Sequence, residues 1–213
     1  METKVVRLIV NGGFEATTSQ KHAREIMGQN FFGVEEAIRH FGVTPSRQQL
    51  VVLSKILFAE ATLEACCDTH ALVAVFPLSI LKVRGKMTSK LFYDQSWYNK
   101  ESFAKDKGDV SWQLVRKTPV ANSMSSTWSE QQALLQDNEE TPTARVMVYT
   151  TIGHFLSTTE RLFEKIHVRC SSVVSGGNRV YVGDFGSDGL GIHNYWDDYR
   201  NDFLGLSSAR KFE

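Results

Sequence analysis

Three cysteines in 213 residues are too few for a disulfide framework. Cys66 and Cys67 are adjacent, a poor geometry for bridging each other, and Cys170 stands alone, so three reduced thiols are expected. Excess charge is missing too. The chain has 24 lysines and arginines against 24 aspartates and glutamates. A nucleic-acid binder normally carries a basic excess, so no nucleic-acid partner is expected. Long apolar runs are also absent. Residues 5–10 are broken by Arg7 and followed by Asn-Gly-Gly, which reads as a strand and turn rather than a signal peptide. Residues 71–81 fall far short of the roughly 20 that a membrane helix needs and contain Pro77. The expectation is a protein without membrane insertion, cytoplasmic as synthesised.

The familiar catalytic and metal signatures are lacking as well. The six histidines show no HxH or HExxH spacing, and there is no G-x-S-x-G elbow, P-loop or GxGxxG. Asp184-Phe185-Gly186 spells the kinase metal triplet, but only 27 residues follow, too few for a kinase lobe. The run DFGSDG echoes a calcium loop without its alternating ligands or closing Glu. Trp196-Asp197-Asp198, with Arg200 and Asp202, could be a carboxylate pair, yet adjacent strand residues face opposite ways. These aspartates read better as turn residues, with Arg200 pairing one of them. No metal, no cofactor and no catalytic residue is expected.

What is present fits a globular chain: 42% hydrophobic and 11% aromatic residues are enough to bury a sizeable core. Helices are predicted at 20–29 and 33–41. A third, opened by Thr44-Pro45, places Leu50, Leu53, Ile56 and Leu57 at helical spacing. Residues 70–85 read as two β runs split by Pro77-Leu78-Ser79. Residues 86–109 read as an ordered loop region, and 110–117 as a strand. A helix at 126–136 has Ser129 as its candidate cap. After a linker-like loop at 136–142, Pro142-Thr143 opens a helix with Ala144, Val148, Ile152 and Phe155 on one face. From Phe163 onward short β runs alternate with glycines. The expectation is a single α+β domain over 1–213, with a mixed portion to about 140 and a β-rich portion from 141.

The sharpest absence lies in that last portion. Residues 166–210 contain no lysine, glutamate, glutamine or methionine, although those types occur 38 times in the preceding 165 residues. Strands and glycine turns disfavour Lys and Glu, which explains part of the gap. The residues that fill it are chiefly Asn, Asp, Tyr, His, Ser and Phe. All six have codons ending in a pyrimidine. Random change at the first two bases of AAY reaches each of them, and never reaches Lys, Glu, Gln, Met, Trp or a stop.

On those residues, the segment NRVYVGDFGSDGLGIHNYWDDYRNDFLGLSSARKF resembles the variable region of a diversity-generating retroelement target protein. The upstream stretches PVANSMSSTWSEQQALL, PTARVMVYTTIGHFL and ERLFEKIHVRCSS are similar to those of bacterial proteins associated with such cassettes. The likeness covers residues 33–213, and its functional content rests on the last 36. The resemblance implies a C-type lectin-like fold whose variable side chains form a ligand-binding surface, diversified by adenine-directed copying from a template repeat. It makes Tyr181, Asp184, His193, Asn194, Tyr195, Tyr199, Asn201 and Phe203 the variable ligand contacts. Trp196, Asp197, Arg200 and Gly205 become the fixed scaffold, together with Gly183 and Gly189 in their turns. Period-two spacing would put Tyr199, Asn201 and Phe203 on one face of an extended strand. Tyr, Asn, Ser and His suit a paratope, since they combine contact area with adaptable hydrogen bonding.

The implied partner is a macromolecular or small ligand, a protein in the first instance, and no turnover is expected. Oligomeric state stays open. In the competing view the aromatics simply pack between strands. Two other functions also stand. One is an enzyme on the related formylglycine-generating-enzyme-like fold, although no cysteine follows Cys170 to make that family's C-terminal pair. The other is a structural virion or surface component that buries the same face between subunits.

Overall fold

The computed structural model describes residues 17–212, and the strand expected at 5–10 lies outside the described residues. Helix α1 (Gln20–Met27) starts where the Ser19 hydroxyl accepts the His22 N–H, and it stops at Gly28. Strand β1 (Phe31–Phe32) leads into α2 (Val34–Phe41), which ends at Gly42 with φ of 57°. Helix α3 (Arg47–Leu53) begins later than Thr44-Pro45 predicts. Ser46 and Gln49 form a reciprocal capping box that satisfies two N–H groups, an advantage Thr44 does not have. The helix also stops before Ile56, so Leu50 lies exposed rather than on a buried stripe. Helix α4 (Glu60–Cys66) and strand β2 (His70–Val75) follow.

The second β run expected after Pro77 is instead α5 (Ile80–Lys86), because Ser79 caps it through the Lys82 N–H at 3.2 Å. The expected loop region holds two short 3-10 turns, Ser89–Leu91 and Trp97–Lys100, and α6 (Ser102–Lys105). Strand β3 (Ser111–Arg116) forms as predicted, with burial alternating up to Leu114 and broken at Val115, which is buried as well. Helix α7 (Trp128–Gln132) is shorter than predicted and is capped by Thr127, not Ser129, with Glu130 closing the box. The linker-like loop contributes β4 (Glu139–Glu140). Helix α8 (Ala144–Thr158) opens as predicted, the Thr143 hydroxyl accepting the Val146 N–H at 3.3 Å. Every residue from 144 to 154 is buried, so packing overrides the strand preference of its β-branched residues. Strands β5 (His167–Val173), β6 (Arg179–Gly186), β7 (Gly189–Tyr195), β8 (Leu204–Leu206) and β9 (Ala209–Arg210) complete the chain.

These elements form an α+β fold with two sheets. The first has the order β1-β2-β3-β9-β4 and the second β7-β6-β5-β8, with β8 running parallel to β5. The C-terminal strand therefore returns to the first sheet, where it pairs with both β3 and β4. Residues between β4 and β9 build α8 and the whole second sheet as one long excursion. Val168, Cys170, Val180, Val182, Leu190 and Ile192 form the inner face of that sheet, all fully buried. The Phe155 ring of α8 meets Phe185 of β6 edge-on at 5.2 Å. Each buried aliphatic side chain contributes about 1.5–3 kcal/mol, so the inner face anchors the sheet and leaves its other face free to differ.

Candidate ligand-binding face

Strand alternation decides which side chains reach the outer face of the second sheet. With Val180 and Val182 in the core, Tyr181 and Gly183 of β6 must point outward. Register places His167 beside Gly183, Arg169 beside Tyr181, and Tyr181 beside His193. The Tyr181 and His193 rings stack at 5.6 Å, and His167 meets them edge-on at 5.1 and 5.3 Å. Phe203 lies 6.0 Å from His167. Of the eight expected contact residues only Tyr181 is buried, at 9% exposure. Burial, reinforced by the neighbouring Tyr199 and Tyr195, pushes its phenol up to about 12. Burial and the adjacent His193 push His167 down to about 4, and burial also lowers His193, so both imidazoles are neutral near pH 7.

Residues 196–203 are not the extended strand that period-two spacing predicts. They form turns, and β8 starts only at Leu204. Tyr199, Asn201 and Phe203 reach the outer face nonetheless, each through its own contact. Tyr199 packs on Tyr195 at 3.9 Å, Asn201 donates to the Tyr199 hydroxyl at 2.8 Å, and Phe203 approaches His167. Trp196, expected as scaffold, is 54% exposed and sits 4.1 Å from Tyr195, so Tyr195, Trp196 and Tyr199 make one aromatic surface. Asn194 departs from the group. It pairs with Val180 on the opposite side of the strands, where it accepts from Asn178 at 3.0 Å.

The expectation that Arg200 pairs a neighbouring aspartate is corrected. Arg179 takes Asp197, with two nitrogens at 3.2 and 3.0 Å, while its guanidinium covers the Trp128 ring at 3.9 Å. Arg200 reaches Glu130 of α7 at 2.6 Å and the Ser125 carbonyl at 3.2 Å. That pairing, with help from the Thr127 N–H, holds the Glu130 carboxyl down at about 2. Arg169 is fully buried beneath these turns. It donates to the Ser126 carbonyl at 2.8 Å, to Gln131 Oε1 at 3.0 Å and to the Tyr199 carbonyl. One guanidinium thus ties residues 126–131 and the 196–203 turns to β5.

A cavity of about 280 Å³ opens at the β6–β7 end, lined by Tyr93, Asp184, Ser187, Asp188 and His193 with the backbone of three glycines. Asp184 sits at an irregularity in the β6–β7 pairing with φ of 49°, its N–H held by the Ile166 carbonyl at 2.7 Å. Its side chain is exposed. Gly183, Gly189 and Gly205 lie within strands, not in turns. A side chain on Gly183 would come 2.1 Å from the Ile166 carbonyl oxygen, and one on Gly205 would come 2.7 Å from Pro119 Cβ. Close packing requires glycine at these positions, against backbone at Gly183 and Gly189 and against side chains at Gly205, and the positive φ of 153° at Gly183 and 100° at Gly189 favours it further.

The structure therefore gathers Tyr181, Asp184, His193, Tyr195, Tyr199, Asn201 and Phe203 on one side of the sheet. Sequence reasoning missed His167 and Arg169, although the alternation of HVRCSSV against buried Val168 and Cys170 carries that signal. It also missed Tyr93 and Trp97, which come from the 86–109 region. The Trp97 indole donates to the Ile192 carbonyl at 3.0 Å on the edge of β7, a long-range contact with no local signature. Cys170 is fully buried and donates to the Val168 carbonyl, and burial pushes its thiol up, so it is no nucleophile. Among the described residues, no group of three or more His, Cys, Asp or Glu side chains is placed to hold a metal ion. No described helix is long and apolar enough to cross a membrane. No protein-family model matches the chain, and neither curated proteins nor solved structures yield a match.

Proposed function

We propose that this chain is a ligand-binding protein without turnover, built on a C-type lectin-like fold, whose C-terminal face is diversified by adenine-directed mutagenic retrohoming. One observation carries the reading. Seven of the eight expected contact residues, all but Asn194, collect on the outer side of β6–β7 and the following turns, while their strand neighbours Val180, Val182, Leu190 and Ile192 are fully buried. Replacing the outer set changes the surface and leaves the core intact, which a diversified binding protein requires. The return of β9 into the first sheet supports it too, since the variable excursion is clamped at both ends.

The test is to read the codons for residues 178–208 and about two kilobases of flanking DNA. A nearby repeat that matches this stretch except where the repeat has adenine, with a reverse-transcriptase gene alongside, is the expected result. Mismatches that ignore adenine, or no repeat at all, would sink the proposal.

A further inference from the structure

The exposed charges of residues 179–203 do not balance, although the fully buried Arg169 adds a cation beneath the 196–203 turns. Residues 179–203 contain five aspartates and two arginines. Both arginines are already engaged, Arg179 by Asp197 and Arg200 by Glu130. Among the described residues, Asp184, Asp188, Asp198 and Asp202 have no ion-pair partner, and all four are exposed. Two of them, Asp184 and Asp188, line the 280 Å³ cavity, which has neutral His193 and no lysine or arginine in its wall. The other two lie in the 196–203 turns that carry Trp196 and Tyr199. His167 joins the two ends through its ring contacts with His193 and Phe203. Its Nε2 is buried without a hydrogen-bond partner.

Resting on the binding reading above, we propose that the partner of this variant of the face is an arginine-bearing segment of a basic protein. One guanidinium enters the cavity between Asp184 and Asp188, and a second stacks on Trp196 beside Asp198 and Asp202. Charge complementarity selects a cation. The exposed aromatic rings select guanidinium over ammonium, since arginine stacks on an aromatic face while donating hydrogen bonds to carboxylates. The four unpaired carboxylates would also steer a basic partner to this face before contact.

The probes are three peptides of equal length, alternating glycine with arginine, lysine or glutamate, titrated against the full chain with tryptophan fluorescence and calorimetry. The arginine peptide should bind several-fold tighter than the lysine peptide, the glutamate peptide should not bind, and added salt should weaken the complex. The combined D184N, D188N, D198N and D202N variant should bind about tenfold more weakly. A control that removes the exposed carboxylates Glu25, Glu64, Asp68 and Asp137 should bind like the parent. Trp196→Ala should lose about fivefold and most of the fluorescence response. Glutamate-peptide binding, equal loss in both charge variants, or binding only of a neutral oligosaccharide or a second copy of the chain would each overturn the proposal. Failure here with an adenine-patterned repeat in the DNA removes only the arginine partner. Success without such a repeat removes only the diversification.

Discussion

Replacing Arg169 with methionine removes a fully buried side chain that ties both covering segments to β5. The guanidinium is fully buried and supplies hydrogen bonds to Ser126, Gln131 and Tyr199, and no acidic partner lies within ion-pair distance among the described residues. Bonds from a charged donor are worth about 1.5–3 kcal/mol each, a gross loss of roughly 5–9 kcal/mol. Methionine also relieves the cost of burying a charge, several kcal/mol, which offsets part of it. The expected net destabilisation is about 3–5 kcal/mol. For a chain of this size that lowers Tm by about 10 °C. Arg169→Lys should recover part of the loss, since an ammonium cannot span three acceptors in the guanidinium plane. Urea denaturation followed by circular dichroism gives the magnitude. Amide exchange should locate the damage at residues 126–131 and 196–203, while α8 keeps its protection. A loss under about 1 kcal/mol with unchanged exchange in those segments would refute the assignment of Arg169 as the strap.

Two further outcomes follow from the same geometry. His70 and His167 are both held at about 4, against an ordinary value of 6.5, chiefly by burial. Because the folded values lie below the unfolded ones, the unfolded chain binds more protons as pH falls. Stability should hold above about pH 6.5 and decline between about 6.5 and 4, by up to roughly 3 kcal/mol per histidine. His167→Phe should remove its share of that slope in denaturation curves measured at several pH values, and an unchanged slope would contradict it. Gly183→Ala should cost more than about 3 kcal/mol, because its Cβ would lie 2.1 Å from a carbonyl oxygen at φ of 153°. Gly186→Ala, with nothing within 4 Å, should cost no more than about 1 kcal/mol, and equal effects in thermal melts would refute the close-approach argument.

Much of the fold was legible where local chemistry and packing agree. The helix opening at Pro142-Thr143, the strand at residues 111–116 and the short C-terminal strands all appeared where the pattern placed them. Local signals failed where two candidate caps competed, as at Thr44 and Ser46, because reciprocal capping depends on which side chain can fold back. They failed again at residues 80–86, where an apolar run after proline fits strand or helix equally and only the Ser79 cap and packing against the core decide. The site was legible as a set of residue types, but its geometry was not. Tyr199, Asn201 and Phe203 converge through turns rather than along a strand, and Asn194 falls on the wrong side of β7.

The sequence by itself determined the composition of the face: which side chains populate residues 178–208, that they avoid Lys and Glu, and that valine and isoleucine alternate with them. Alternation is a local property of the extended backbone, so it survives whatever the rest of the chain does. Only the tertiary structure decided how charge and rings meet. Arg179 chose Asp197, Arg200 chose Glu130, and Arg169 was buried under both covering segments. Those partners lie up to 70 residues apart in sequence, and only a folded chain brings them within hydrogen-bond reach.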